Sequence, residues 1–198
     1  MDNEKNEIHL EDLNTLDSGA VKWISGLEKP DKASQEIEEE EYERYIAVLL
    51  GEKEVAFRVI DIEAILDVPR ITPVPGLPDY ILGICNVRGE ITSVVDVRKI
   101  LGINVQRQKT RRERAAEKMI ILRGELYSVG FIVDSVLDVL RVAERSIVKI
   151  SAADGELAHI SQFARGLFTR VGEEGRDNDV ILIDTEKLLS TRELMQFQ

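Results

Sequence analysis

The sequence predicts a mainly β protein built as two small barrels related by internal duplication, and three observations predict it. Residues 45–66 (YIAVLLGEKEVAFRVIDIEAIL) lie over residues 119–140 (MIILRGELYSVGFIVDSVLDVL) without a gap, at an offset of 74. Val55, Phe57, Val59, Ile62, Ile65 and Leu66 thereby fall on Val129, Phe131, Val133, Val136, Val139 and Leu140. Residues 80–101 resemble residues 163–189 in the same way. Gly83 meets Gly166, and Val94-Val95-Asp96 meets Leu182-Ile183-Asp184, once the second hairpin has a longer loop. The apolar runs are short and divided by tight-turn residues, a pattern of small antiparallel barrels that remove exposed edges by closing on themselves.

Each element follows from local chemistry. Residues 45–50 read as an apolar strand, Gly51-Glu52-Lys53 as a turn, and residues 54–59 as a strand with Val55, Phe57 and Val59 inward. Residues 61–67 read as a short helix or turn. Four of the five prolines (Pro69, Pro73, Pro75 and Pro78) then crowd into ten residues, a fixed-φ connector at the surface. Residues 80–87 form a strand, Arg88-Gly89 turns, and residues 90–95 run back. Asp96 caps a short helix that ends at Gly102. Residues 103–117, with Arg107, Lys109, Arg111, Arg112 and Arg114, read as the solvated connection between the copies. The second copy spans 118–184, with a polar loop at 172–178 and a C-terminal helix at about 185–196. The two barrel units are expected at about 45–102 and 118–184, with strand exchange between them possible.

Charge is unevenly spread. Residues 1–44 hold 14 acidic and 5 basic residues of a chain whose net charge is −11, so the rest is nearly neutral. The first 44 residues read as a flexible acidic arm, too polar to repay its own ordering. Two apolar islands interrupt it: Ile8, Leu10, Leu13 and Leu16, then Val21, Trp23, Ile24 and Leu27. The remaining 154 residues bury about 70% of their chain surface by the usual size scaling, enough for a core without metal or disulfide. Cys85 is the only cysteine, in an apolar stretch, and reads as a small buried residue. No apolar run nears 18 residues, so the expected location is the cytoplasm, without direct membrane insertion.

Candidate chemistry is sparse. His9 and His159 have no ligand-spaced partners, so no metal is expected. No glycine-rich phosphate loop, GxSxG elbow or HExxH occurs, and neither a catalytic residue nor a cofactor is expected. Asp96 and Asp184 sit at equivalent positions, which reads as two helix caps rather than a carboxylate pair. The basic stretch at 103–117 lacks stacking aromatics, which argues against nucleic acid as a partner. What stands out is Asn86-Val87-Arg88-Gly89, because the second copy does not keep it. Gly89 supplies the positive φ of a tight hairpin, and Arg88 projects from a rigid support, suited to forked hydrogen bonds with a protein partner.

Residues 74–89 (VPGLPDYILGICNVRG), followed by Val94-Val95-Asp96-Val97, resemble the signature of CheW-type chemotaxis coupling proteins, roughly VPxxPxYIxGIxNLRGxIxPVIDLRxxLG. Residues 130–136 resemble that family's GxxVDxV turn, and residues 181–189 its ILxxDxxKLL ending. The resemblance covers about residues 44–195. It implies two SH3-like five-stranded barrels, no enzymatic activity, and an adaptor in signal transduction. The implied partners are the cytoplasmic tip of a chemoreceptor and the regulatory domain of a CheA-type histidine kinase, met at membrane-bound receptor arrays. The receptor-binding set it implies is Arg88, Asn86, Val87, Gly89, Ile62 and Ile65; the kinase-binding set is Gly83, Val133, Val136 and Val139. Three departures bear on partner choice: Ala64 replaces an acid in the family's V-x-E-I, Thr92-Ser93 replaces a more apolar strand, and the acidic arm is long. A non-flagellar chemosensory pathway for surface motility or development is the alternative, with a nucleic-acid-binding barrel a distant third.

Overall fold

The computed structural model describes residues 41–104, 110–124, 127–150, 158–171 and 177–195. Residues 1–40 of the acidic arm with its two apolar islands, Arg107 and Lys109, and most of the loop after Val171 lie outside the described residues, while residues 42–44, expected in the arm, are strand.

Two kinds of connection decide the architecture. Gly51-Glu52 joins β1 (Tyr42–Leu50) to β2 (Lys53–Arg58), and Arg88-Gly89 joins β4 (Ile81–Val87) to β5 (Glu90–Val95). Two residues suffice for a hairpin. By contrast, β2 runs through a single 3-10 turn, Val59–Asp61, into β3 (Ile62–Asp67). In the second copy only Asp134 separates β7 (Ser128–Val133) from β8 (Ser135–Ala143). Neither connection pairs the strands it joins, and each third strand lies in the other sheet. With β6 (Lys118–Arg123), β9 (Ala164–Val171) and β10 (Asp177–Ile183), the result is two five-stranded sheets. Barrel 1 runs β8-β1-β2-β10-β9, and barrel 2 runs β3-β6-β7-β5-β4. The protein is mainly β, two SH3-like five-stranded barrels with short helices: α1 (Val97–Ile100), α2 (Arg111–Ala116), α3 (Thr185–Leu189) and α4 (Arg192–Met195).

Neither barrel coincides with one copy of the repeat. Barrel 1 takes β1 and β2 from the first copy and β8, β9 and β10 from the second; barrel 2 is the reciprocal set. The duplication is nonetheless kept to the residue. Tyr45 pairs with Arg58 as Met119 pairs with Ile132, and Val48 with Val136 as Ile62 with Leu122. Gly83 opposes Val94 as Gly166 opposes Leu182, each beside a register shift. Each barrel is closed by a bridge from the segment after its third strand, Thr72 to Ile84 and Val148 to Leu167.

Several expectations need correction. Residues 61–67 are mostly strand, not helix: Ile62, Ala64 and Leu66 alternate with the exposed Glu63, Ile65 and Asp67, a period of two. The sheets are not wholly antiparallel, since β2 runs parallel to β10 and β5 to β7, where strands of different copies meet. Val59 is half-buried in the 3-10 turn rather than inward on a strand. The C-terminal helix is two short ones, broken where the Thr191 hydroxyl donates to the Leu188 carbonyl and the Thr191 carbonyl restarts the ladder for Leu194 and Met195. The connector carries α2, whose Thr110 and Glu113 form a reciprocal capping box.

The core has three parts. Tyr45, Ala47, Ala56, Leu140, Val142, Val180 and Leu182 fill barrel 1. Cys85, Val94, Met119, Ile121 and Ile132 fill barrel 2. The largest cluster lies between the sheets and contains the equivalent pair Phe57 and Phe131, both fully buried. Both faces of β2 and β7 are therefore covered, which is why these strands read as apolar runs rather than clean alternations.

Candidate partner-binding site

Arg88 occupies a conformation that an arginine adopts only under constraint. Its φ is +53°, the only positive value among described residues other than glycine, and Gly89 follows at +97°. Two left-handed residues between the paired Val87 and Glu90 make a type I′ hairpin. Asparagine, aspartate or glycine is the usual first residue of that turn, and a left-handed side chain costs about 1–2 kcal/mol. Asn86 supports the turn: its side-chain oxygen accepts from the Gly89 N–H at 3.0 Å. Sequence reasoning gave the positive φ to Gly89 alone; the structure gives it to Arg88 as well. Arg88 and Asn86 are exposed and Val87 is half-buried. Strain of this kind at an exposed arginine is a mark of function rather than folding.

The turn stands at the mouth of barrel 2, beside a cleft of about 160 Å³ lined by residues from β3, β4, β5, β6 and β7. Glu63, Val87, Arg88, Glu90, Thr92 and Ser128 line it, with Ala64 and Ile121 behind. The Ser128 hydroxyl donates to Glu63 at 2.7 Å. Ala64 therefore leaves room at the position where the resembled family has an acid, and Glu63 faces the same space. Small-molecule sites span about 300–1,000 Å³, so this cleft suits a side chain rather than a cofactor. Among the described residues there is no group of three or more His, Cys, Asp or Glu arranged to hold a metal.

The other predicted positions separate. Ile65 is 36% exposed on the edge strand β3, while Ile62 packs on the central core. Ile91 escaped the sequence reading, yet it is 77% exposed opposite Asn86, beside the Arg88 turn. On the edge strand of barrel 1, Val136, Leu137 and Val139 are 37%, 40% and 54% exposed, an apolar strip to which Leu137 is the addition. Val133 does not join them: it is fully buried between the sheets and presents nothing to a partner. Gly83 is likewise not a contact surface. A Cβ there would stand 2.2 Å from the Thr72 carbonyl oxygen, at φ +137°, so the glycine serves barrel closure. The signal for Gly83 was its recurrence as Gly166, where a Cβ would meet Val148 at 2.7 Å.

Asp96 does cap its helix, accepting from the Arg98 N–H at 3.2 Å, but it does more. Arg98 forks onto Asp96 at 2.7 and 2.9 Å and reaches Asp134 at 2.8 Å. Asp134 in turn accepts from the Gly51 N–H. Barrel 2 is thus tied to the β1–β2 turn of barrel 1 through side chains 12–13% exposed. Burial opposes the Arg98 charge, and the two aspartates outweigh it, holding the guanidinium above its ordinary value. Asp184 caps α3 through the Lys187 N–H at 3.1 Å and has no such reach. His159, just before the 3-10 turn Ile160–Phe163, bonds the Ile100 carbonyl at 2.9 Å against Gly102.

Comparison with known proteins agrees with this geometry. Residues 44–193 match the CheW-like domain family. The chain is 34% identical to a chemotaxis protein CheW of Thermotoga maritima over 140 residues, 71% of this chain and 83% of that one. It is 26% identical to the Klebsiella aerogenes chemotaxis protein CheW over 152 residues, covering 77% and 84%. The crystal structure of the scaffolding protein TtCheW from Thermoanaerobacter tengcongensis superposes with a TM-score of 0.64 at 25% identity, over 77% of this chain and 91% of that one. With the twin barrels, the Arg88 turn and the two Asp-capped helix starts in order along 150 residues, this chain belongs to the CheW-like domain family.

Proposed function

We propose that the protein is a non-enzymatic chemotaxis scaffold that holds a chemoreceptor tip and the regulatory domain of a CheA-type histidine kinase together. The observation that carries this reading is Arg88, an exposed guanidinium held in a left-handed turn with no fold-stabilising partner among the described residues. It makes the receptor face, with Asn86, Val87, Gly89, Ile65 and Ile91 around it. The strip Val136, Leu137 and Val139 makes the kinase face on the other barrel. Each interface buries on the order of 800 Å² per partner or less, and repetition in an array supplies avidity. The reading places the protein in the cytoplasm; no helix among the described residues is long and apolar enough to cross a membrane.

The test is Arg88→Asn in a reconstituted assay of receptor, kinase and this protein. Asparagine accepts the left-handed turn, so the fold persists while the guanidinium is gone. Receptor-dependent kinase stimulation is expected to fall at least tenfold. Stimulation equal to wild type would overturn the reading.

A further inference from the structure

The duplication supplies an internal template for the cleft at the mouth of barrel 2. At the equivalent place in barrel 1 the space is filled from within the chain. Arg170, at the position of Val87, bonds Glu54, at the position of Ser128, through Nε and Nη2, both at 2.9 Å. Asn178, at the position of Glu90, donates to the other oxygen of Glu54 at 3.1 Å. One mouth is closed by its own guanidinium. The other has Ser128 in place of that glutamate and Val87 in place of that arginine, carries Glu63 and Glu90 where barrel 1 has Leu137 and Asn178, and has its own guanidinium, Arg88, only at the rim.

Three further observations point the same way. Glu90 has no ion pair among the described residues, and Glu63 bonds only the neutral Ser128 hydroxyl. Thr92 is 7% exposed and lines the cleft, and its hydroxyl makes no hydrogen bond among the described residues. The cleft's volume of about 160 Å³ is well below that of a small-molecule site and suits one long side chain. We propose that the mouth of barrel 2 is a socket for a single basic side chain, arginine or lysine, projecting from the partner segment that docks at Arg88. Glu63 and Glu90 grip the cation, Thr92 and Ser128 supply acceptors, and the aliphatic stem lies along Val87. The partner's guanidinium does between molecules what Arg170 does within this one. Arg88 at the rim repels a misplaced cation and pairs with an acid beside it, so the two charges of the site read a dipolar pattern.

The inference rests on the reading of the Arg88 face as the receptor face, and the experiment separates the two. The full-length protein is titrated with the cytoplasmic-tip fragment of a chemoreceptor from the same organism. Glu63→Gln with Glu90→Gln keeps size and hydrogen bonds and is expected to weaken binding about tenfold, in the range of charge-pair couplings at interfaces. Val87→Arg sets a guanidinium at the position of Arg170, beside Glu63 and Glu90, plugs the socket and is expected to weaken binding at least as much. Tip fragments with each exposed Arg or Lys replaced by Gln complete a double-mutant cycle. One of them loses affinity against wild type and loses nothing further against the double-Gln protein. Wild-type affinity of the double-Gln protein, alongside weakened Arg88→Asn, overturns the socket and leaves the receptor face standing. Wild-type affinity of Arg88→Asn overturns the receptor face and the socket with it. Should Val87→Arg fail to fold, the glutamine pair and the cycle decide alone.

Discussion

The two barrels share register, bulges and closing bridges, yet they differ wherever a side chain leaves the sheet. In barrel 1 the polar groups are spent internally. Arg165 donates to Glu43 and, at 3.1 Å, to the Tyr45 hydroxyl, and burial with the Glu43 hydrogen bond pushes that hydroxyl well above its ordinary value. Barrel 2 puts Leu82 and Met119 at the positions of Arg165 and Tyr45, both in apolar packing. Its charged groups stand instead at the mouth, around Arg88, Glu63 and Glu90. Duplication gave two copies of one scaffold. Divergence then sealed one mouth with an ion pair and left the other open, which locates binding in the half that is not self-satisfied.

The comparison is most severely tested at the closing glycines. Gly83→Ala is expected to cost about 4 kcal/mol or more, because its Cβ meets backbone at 2.2 Å and φ is positive. Gly166→Ala meets a side chain at 2.5 Å and backbone at 2.7 Å, and is expected to cost less by roughly the left-handed strain, about 1–2 kcal/mol. Urea unfolding of the pair checks the difference; equal losses would mean that the strain at Gly83 carries no weight.

Next in size is the tie between barrels. Arg98→Ala takes the guanidinium away from Asp96 and Asp134 in a site 12–13% exposed and is expected to cost about 3 kcal/mol. Lys187→Ala, in the equivalent helix, removes a partner 57% exposed and is expected to cost under about 1 kcal/mol. Denaturant midpoints that rank these two the other way would break the assignment of the inter-barrel tie to the first copy. Arg170→Ala is smaller than Arg98→Ala, about 1–2 kcal/mol, since the pair with Glu54 is partly exposed at 24% and 16%. A useful sharpening is whether that variant opens a second socket: free arginine at millimolar concentration should then raise its melting temperature and leave wild type unmoved.

The smallest effect concerns Cys85, whose position in barrel 1 is held by Phe168. Burial pushes the Cys85 thiol up. A raised thiol pKa means that the folded state holds its proton longer than the unfolded chain. The stability it contributes is therefore constant below about pH 8.5 and shrinks as pH rises past it. Labelling by a thiol reagent at pH 8 is expected to follow opening of barrel 2 rather than free-thiol kinetics; labelling within the dead time would place Cys85 at the surface.

Much of this was legible in the chain. The 74-residue offset, the recurrence of Gly83 as Gly166 and of Asp96 as Asp184, and the two-residue turns were all local signals, and local signals survive into structure. Residues 61–67 misled because Glu63 and Asp67 flank a short apolar run, and helix and strand are not separable over seven residues by periodicity alone. Val133 misled because a family contact was carried onto a position whose both-sided burial only the second sheet creates. Ile91 was missed because alternation does not tell which apolar side chain beside a hairpin turn is left uncovered.

The sequence by itself determined the duplication, the strand content, the caps and the arginine at the turn, since each depends on residues within a few positions of one another. Only the tertiary structure decided that the copies trade strands, that β2 and β7 are covered on both faces, and that one mouth is plugged while its twin stays open. Those outcomes depend on which surfaces meet across more than a hundred residues of chain, and short-range propensity carries no information about that meeting.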